Sequence, residues 1–134
     1  MALDEVKPAW HTRSMSSFIV NVTFDCEDPG VLAQFWSNAT GYELVEQRDD
    51  FARLKTPDGR GVRHILFFRV PEPKVNKNRM HVDLAARDPE LEIERLLTLG
   101  ASLADGGPDP IWRMGNGTKW VVMHDPEGNE FCLG

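Results

Sequence analysis

The chain is poor in cysteine: Cys26 and Cys132 are its only two in 134 residues, too few and too widely spaced for a disulfide framework. A packed core must therefore do the stabilising, and the length is sufficient for one such core. No apolar run approaches the length of a membrane span, which argues against a helical membrane protein. Basic residues are outnumbered, giving a formal net charge of -6, and there is no Lys/Arg stripe; a nucleic-acid partner, which needs a basic footprint, is set aside. The first residues, MALDEVKPAWHTRSMSS, lack the apolar segment of a signal peptide. A cytoplasmic protein with both thiols free is the expectation. What remains is ordinary globular composition, 41% hydrophobic and 27% charged.

Residues 1–16 show charges, a proline and serines without a periodic apolar face, and read as a weakly ordered arm. The ordered domain is expected over 17–134. Within it the chain repeats itself once, with a first module at about 17–72 and a second at about 78–134. NVTFDCEDPGVL (Asn21 to Leu32) laid over HVDLAARDPELE (His81 to Glu92) pairs Val22 with Val82, Phe24 with Leu84, Asp28 with Asp88 and Pro29 with Pro89. Alternating apolar residues suit a strand with one buried face, and Asp-Pro supplies an N-cap followed by proline in the first helical position. The first helix is expected over about Pro29 to Thr40, with Val31, Leu32, Phe35, Trp36 and Ala39 inward and Gly41 closing it. The second is expected over about Pro89 to Leu99, with Ile93, Leu96 and Leu97 inward and Gly100 closing it. Each is followed by an extended segment and later by a turn, Pro57-Asp58-Gly59 or Pro126-Glu127-Gly128. Gly41 and Gly100 lie 59 apart but Pro57 and Pro126 lie 69 apart. About ten additional residues thus fall in the second half, in the loop from Asp105 to Gly117, whose Gly-Asn-Gly end has strong turn chemistry.

Each half reads as strand, helix, then three strands, and two such modules make an α+β domain with helices on one side of a curved mixed sheet. Side chains alternate across a strand. Val22, Phe24 and Cys26 therefore face the helices, and Asn21, Thr23 and Asp25 face away. In the second half Val82 and Leu84 oppose His81, Asp83 and Ala85, and in the last strand Phe131 and Leu133 oppose Glu130 and Cys132. The strand VRHILFFRV is apolar on both faces, so pattern alone does not orient Phe68. Two polar surfaces thus line the concave side. They are either a solvated sheet face or the floor of a site.

This layout, with DPEGNEFCL at the carboxyl end, LGAS after the second helix and DCEDPGVLAQFW in the first half, resembles the vicinal oxygen chelate superfamily, nearest its glyoxalase-like and bleomycin-resistance-like branch. The resemblance covers about Phe18 to Gly134. It implies two βαβββ modules forming a cup with helices outside, and a homodimer. Metal enzymes of the superfamily take ligands from four positions, which fall here on Asn21, Phe68, His81 and Cys132. Only His81 is a usual ligand; Phe68 is none, and Cys132 is soft for a site normally built from nitrogen and oxygen. If a divalent metal binds, His81, Glu130 and Cys132 are its candidate ligands, but no cofactor is assigned.

Without a metal, His81 beside Asp83 and Glu130 is a general-base candidate, because its charge changes near neutral pH and a carboxylate can orient the ring. The alternative is a histidine that bonds across the module interface and does no chemistry. Cys132 reads as a small hydrophobe before it reads as a nucleophile. His64 and His124 read as peripheral, and Asp125, Glu127, Gly128 and Asn129 as turn formers. Trp112 and Trp120 offer aromatic walls for a small organic ligand, or else cover the core. Three functions follow in order: a small-molecule cup with lyase or isomerase chemistry based on His81, with Asn21, Thr23, Asp25, Phe68, Trp112, Trp120 and Cys132 around the ligand; a non-catalytic binding protein; and a metal-dependent lyase or dioxygenase.

Overall fold

The computed structural model describes residues 19–58, 61–104, 111–113 and 119–134, with the backbone path alone at 111–113 and 119. The expected arm over 1–16 and the Trp112 side chain lie outside the described residues. The first half runs β1 (Asn21–Cys26), α1 (Pro29–Thr40), β2 (Glu43–Arg48), β3 (Phe51–Lys55) and β4 (His64–Arg69). The second runs β5 (Val82–Leu84), α2 (Pro89–Leu99), β6 (Ser102–Leu103), β7 (Ile111–Arg113), β8 (Lys119–His124) and β9 (Glu130–Leu133).

Both helices start and stop where their sequence signals stand. The Asp28 carboxylate accepts from the Val31 N–H and the Asp88 carboxylate from the Leu91 N–H, each at 3.2 Å, satisfying donors that have no partner within the helix. Gly41 at φ 82° and Gly100 at φ 114° close the helices in the left-handed region, where a Cβ would be strained. The buried faces differ in detail from expectation. Val31 is 57% exposed and Ala33 is buried in its place, because the face of α1 is set by both sheets beneath it. Leu97, expected inward, is 40% exposed, and Leu96 alone in α2 is fully buried.

Two mixed sheets result. The first has the order β1-β4-β3-β2, with β1 parallel to β4 and the rest antiparallel. The second has the order β5-β9-β8-β6, with β7 also on β8. Here β5 is parallel to β9, while β6 and β7 pair with successive parts of β8, Leu103 opposite Met123 and Ile111 opposite Val121. The second half was expected to carry three strands after its helix. Among the described residues it carries four, because the additional residues divide between two short strands the sheet edge that β2 alone occupies in the first half.

Trp36 on α1 is the hub of the core. Its ring lies 5.5 Å from Phe24, 5.2 Å from Phe35 and 5.1 Å from Phe131, and Phe24 stacks on Phe67 at 5.3 Å. One helix thus draws aromatic side chains from both sheets, each burial contributing about 1.5–3 kcal/mol. Polar contacts join the halves as well. The Trp36 indole N–H donates to Asp125 at 3.0 Å, and the Glu127 carboxylate accepts from the Glu27 and Asp28 N–H groups at 2.7 and 2.8 Å. The Arg95 guanidinium donates to the Asn38 and Ala39 carbonyls at the end of α1, at 3.0 and 2.9 Å.

Candidate functional site

Phe67 and Ile65 face the helices, which leaves His64, Leu66 and Phe68 on the far face of β4. This settles the orientation that the pattern left open. Phe68 is half exposed and packs against Phe51 at 4.8 Å between ring centroids. Thr23 and Asp25 are exposed on the same far side, as are His81 and Asp83 in the second half. Between the two sheets lies a cavity of about 1000 Å³, at the upper end of the range for small-molecule sites. Its walls are β1, the segment 70–82 that connects the halves, and the turn from Pro126 to Glu130. Asn21, Thr23, Asp25, His81 and Glu130 contribute to this lining, whereas Phe68, Asp83, Trp120 and Cys132 do not.

His81 Nε2 stands 3.2 Å from Asp83 Oδ1. Two residues apart on one strand face, they meet because β5 alternates. Asp83 is also opposite Cys132 in the β5–β9 register, and the donor atoms of all three residues lie within 4.8 Å of one another. Burial pushes the Cys132 thiol upward, and the Asp83 charge adds to it; at neutral pH the sulfur keeps its proton and is a poor nucleophile.

Glu130 is engaged elsewhere. Its carboxylate accepts from the Asn78 N–H at 2.6 Å and from Lys74 Nζ at 3.1 Å, and His124 Nε2 stands 3.4 Å away. Burial would raise this carboxyl, but the bonds from Asn78 and Lys74 outweigh it and hold it below its ordinary range. Glu130 thereby fastens the connecting segment over the second sheet. The sequence reading missed His124, Lys74 and Asn78 as its partners. Only His124 had a visible signal: across the turn at Pro126-Glu127-Gly128, the β8–β9 hairpin register sets His124 directly opposite Glu130.

Asp125, read as a turn former, is buried and accepts from Trp36, Asn129 and the Glu127 N–H. Burial raises its carboxyl against the pull of those bonds. Trp120 lies flat over Gly134, where an added Cβ would meet its ring at 2.7 Å. It covers the end of β9, and Gly134 is what allows that approach.

The four ligand positions of the superfamily's metal enzymes do not fit a metal here. Phe68 has no donor atom, Asn21 offers only an amide, and Cys132 is a soft ligand for a site normally built from nitrogen and oxygen. His81, Asp83 and Cys132 form a different donor set within the second sheet, one nitrogen, one oxygen and one sulfur atom within 4.8 Å of one another.

The architecture is that of the glyoxalase/bleomycin resistance/dioxygenase superfamily. A family enzyme from Burkholderia phytofirmans superposes with a TM-score of 0.69 at 15% identity, covering 87% of this chain and 97% of that one. The bleomycin-binding protein of Streptomyces verticillus, solved with copper(II)-bleomycin, gives 0.57 at 19% identity over 89% and 97%. The fosfomycin resistance protein FosX of Listeria monocytogenes, solved with Mn(II) and a dihydroxypropylphosphonic acid, gives 0.67 at 16% identity over 89% and 90%. The chain belongs to the glyoxalase-like domain family, whose profile matches residues 21–134. No curated protein sequence matches it.

Proposed function

We propose that the protein binds a small organic molecule in the cavity between β1 and the connecting segment, and that His81, oriented by Asp83, acts on it as an acid–base group in a lyase or isomerase step. The observation that carries this reading is the 3.2 Å His81–Asp83 contact on the wall of a cavity of about 1000 Å³. A carboxylate on one ring nitrogen fixes the tautomer and leaves the other free to take or give a proton. Asn21, Thr23 and Glu130 supply the polar floor, and Glu130 also keeps the connecting segment closed. A homodimer in the cytoplasm is part of the proposal; the superfamily resemblance and two free thiols support it.

The test is a screen of small organic molecules by NMR, followed by His81→Gln. Turnover of a bound compound should fall by about 10²-fold or more, with binding weakened less than tenfold; retained turnover would refute the acid–base role. Sequestration without turnover is the second reading. It is favoured by the exposure of the dyad, with His81 and Asp83 side chains 39% and 55% accessible, where a catalytic base is ordinarily shielded from water. Binding without turnover of any hit would select it.

A further inference from the structure

Seven consecutive residues of β1 and its end, Asn21 to Glu27, border the cavity. Alternation puts Val22, Phe24 and Cys26 on the face opposite Asn21, Thr23 and Asp25, yet both sets border the cavity, as expected where a strand presents its edge. β1 pairs only with β4 among the described residues. The Val20 and Cys26 carbonyls accept from Arg63 and Val70, so the even-numbered residues direct their N–H and C=O groups toward β4. By the alternation of a strand, those of Asn21, Thr23 and Asp25 point into the cavity. The second half repeats this. The Leu84 carbonyl and the Ala86 N–H bond to Gly134 on the β9 side, which turns the backbone groups of His81 and Asp83 toward the gap. Among the described residues none of these outward groups has a backbone partner. The Asn21 Oδ1, on the same wall, is shielded from solvent and also unpaired.

We infer that the ligand of this cavity is an extended peptide segment that adds to the free edge of β1 as a further strand, through the backbone groups of Asn21, Thr23 and Asp25. The inference rests on the cavity being the ligand site, as proposed above, and narrows the class of organic molecule that fills it to a short peptide. An edge that ends in open solvent is a liability blunted by charge or by proline; this one ends in a cavity between two sheets, where edge pairing supplies affinity and side-chain pockets supply selectivity. From Asn21 to Asp25 the edge runs about 13 Å at about 3.3 Å per residue, which matches four to five residues of partner, roughly. Charge selects a basic peptide. Asp25, Glu27 and Glu72 line the cavity without an ion-pair partner among the described residues, Lys74 is held by Glu130, and Arg79 is the remaining cation of the lining. Ile19 and Met80, both largely exposed at the cavity, offer apolar contact to alternate side chains.

The probe is a library of acetylated, amidated pentapeptides, screened against the whole chain by NMR, with the hits resynthesised with N-methyl groups on alternate amides. Lysine- or arginine-containing members should bind, slowing exchange of the Thr23 and Asp25 N–H groups. N-methylation in the pairing register should weaken binding more than tenfold, and in the opposite register less than threefold. Thr23→Pro removes one outward N–H without touching a β1–β4 bond and should weaken binding at least tenfold, well beyond Thr23→Ala, which deletes the side chain and leaves the N–H in place. Binding insensitive to N-methylation, protection elsewhere than on β1, or no binding by any member would overturn the inference. If peptides fail but a small organic molecule still perturbs the His81 resonances, the edge proposal falls and the functional one stands; if both fail, the cavity is no ligand site.

Discussion

The two halves follow one plan and spend it differently. In the first, α1 buries Leu32, Ala33, Phe35, Trp36 and Ala39, and the sheet beneath it is anchored by Phe67, Ala52 and Leu54. In the second, α2 buries Leu96 alone, and its sheet instead carries His81, Asp83, His124, Glu130 and Cys132 on the face turned from the helices. The first half supplies most of the core, and the second holds the histidine, carboxylate and thiol cluster. That division works because the second half borrows its stability: Phe131 packs on Trp36, Asp125 receives the Trp36 N–H, and Glu127 binds the backbone ahead of α1. A sheet that keeps titratable side chains on one face is limited in apolar burial, and a neighbour with a large core offsets the deficit.

The contrast is broken most severely at the hub. Trp36→Ala should cost about 3–5 kcal/mol and lower the unfolding midpoint of both halves together in urea; loss confined to the first half would show that the second stands alone. Next comes the buried carboxylate of the second sheet. Glu130→Gln removes a charge-assisted pair and should cost about 1.5–3 kcal/mol at pH 7, with faster amide exchange across residues 70–80.

The sign of its pH dependence follows from its direction of shift. A carboxyl lowered from its ordinary 4.5 contributes stability that is present above that value and lost as pH falls through the folded one. The acid limb of the stability curve below about pH 4.5 should therefore flatten in the Gln variant, and an unchanged limb would refute the assignment. Asp125 shifts the opposite way, so its contribution weakens as pH rises from its ordinary 3.8 through its raised folded value.

Smaller effects are expected at the seam and at the thiols. Arg95→Ala deletes the contacts to the end of α1; because the Arg95 side chain is 43% exposed, a loss of about 1 kcal/mol or less is expected in thermal unfolding. Cys26, pushed up to about 12 by burial and by Glu127 and Asp25 nearby, and Cys132 should both resist iodoacetamide at pH 8 in the folded protein and react fully in urea. Rapid labelling of Cys132 alone would mean that the second sheet opens locally, which would sharpen the difference between the halves.

Much of the fold was legible. Asp28-Pro29 and Asp88-Pro89 with Gly41 and Gly100 fix both helices, since capping is chemistry between near neighbours. Strand alternation likewise placed Asn21, Thr23, Asp25, His81, Asp83, Glu130 and Cys132 on the far face. The strand pattern did not show that the additional loop residues include β7, because three residues carry no period. Val31 and Leu97 were misplaced because a helix resting on two sheets does not bury a simple stripe.

Local order determines strand faces, helix limits and the duplicated plan, because each depends on residues a few positions apart. The tertiary structure alone decided which carboxylate meets which distant partner: Glu130 turns to Lys74 and Asn78, and Asp125 to Trp36. Those choices depend on register and on the course of the connecting segment, over separations of up to 89 residues. Alternation assigns a side chain to a face; only the packing of two sheets sets its neighbour there.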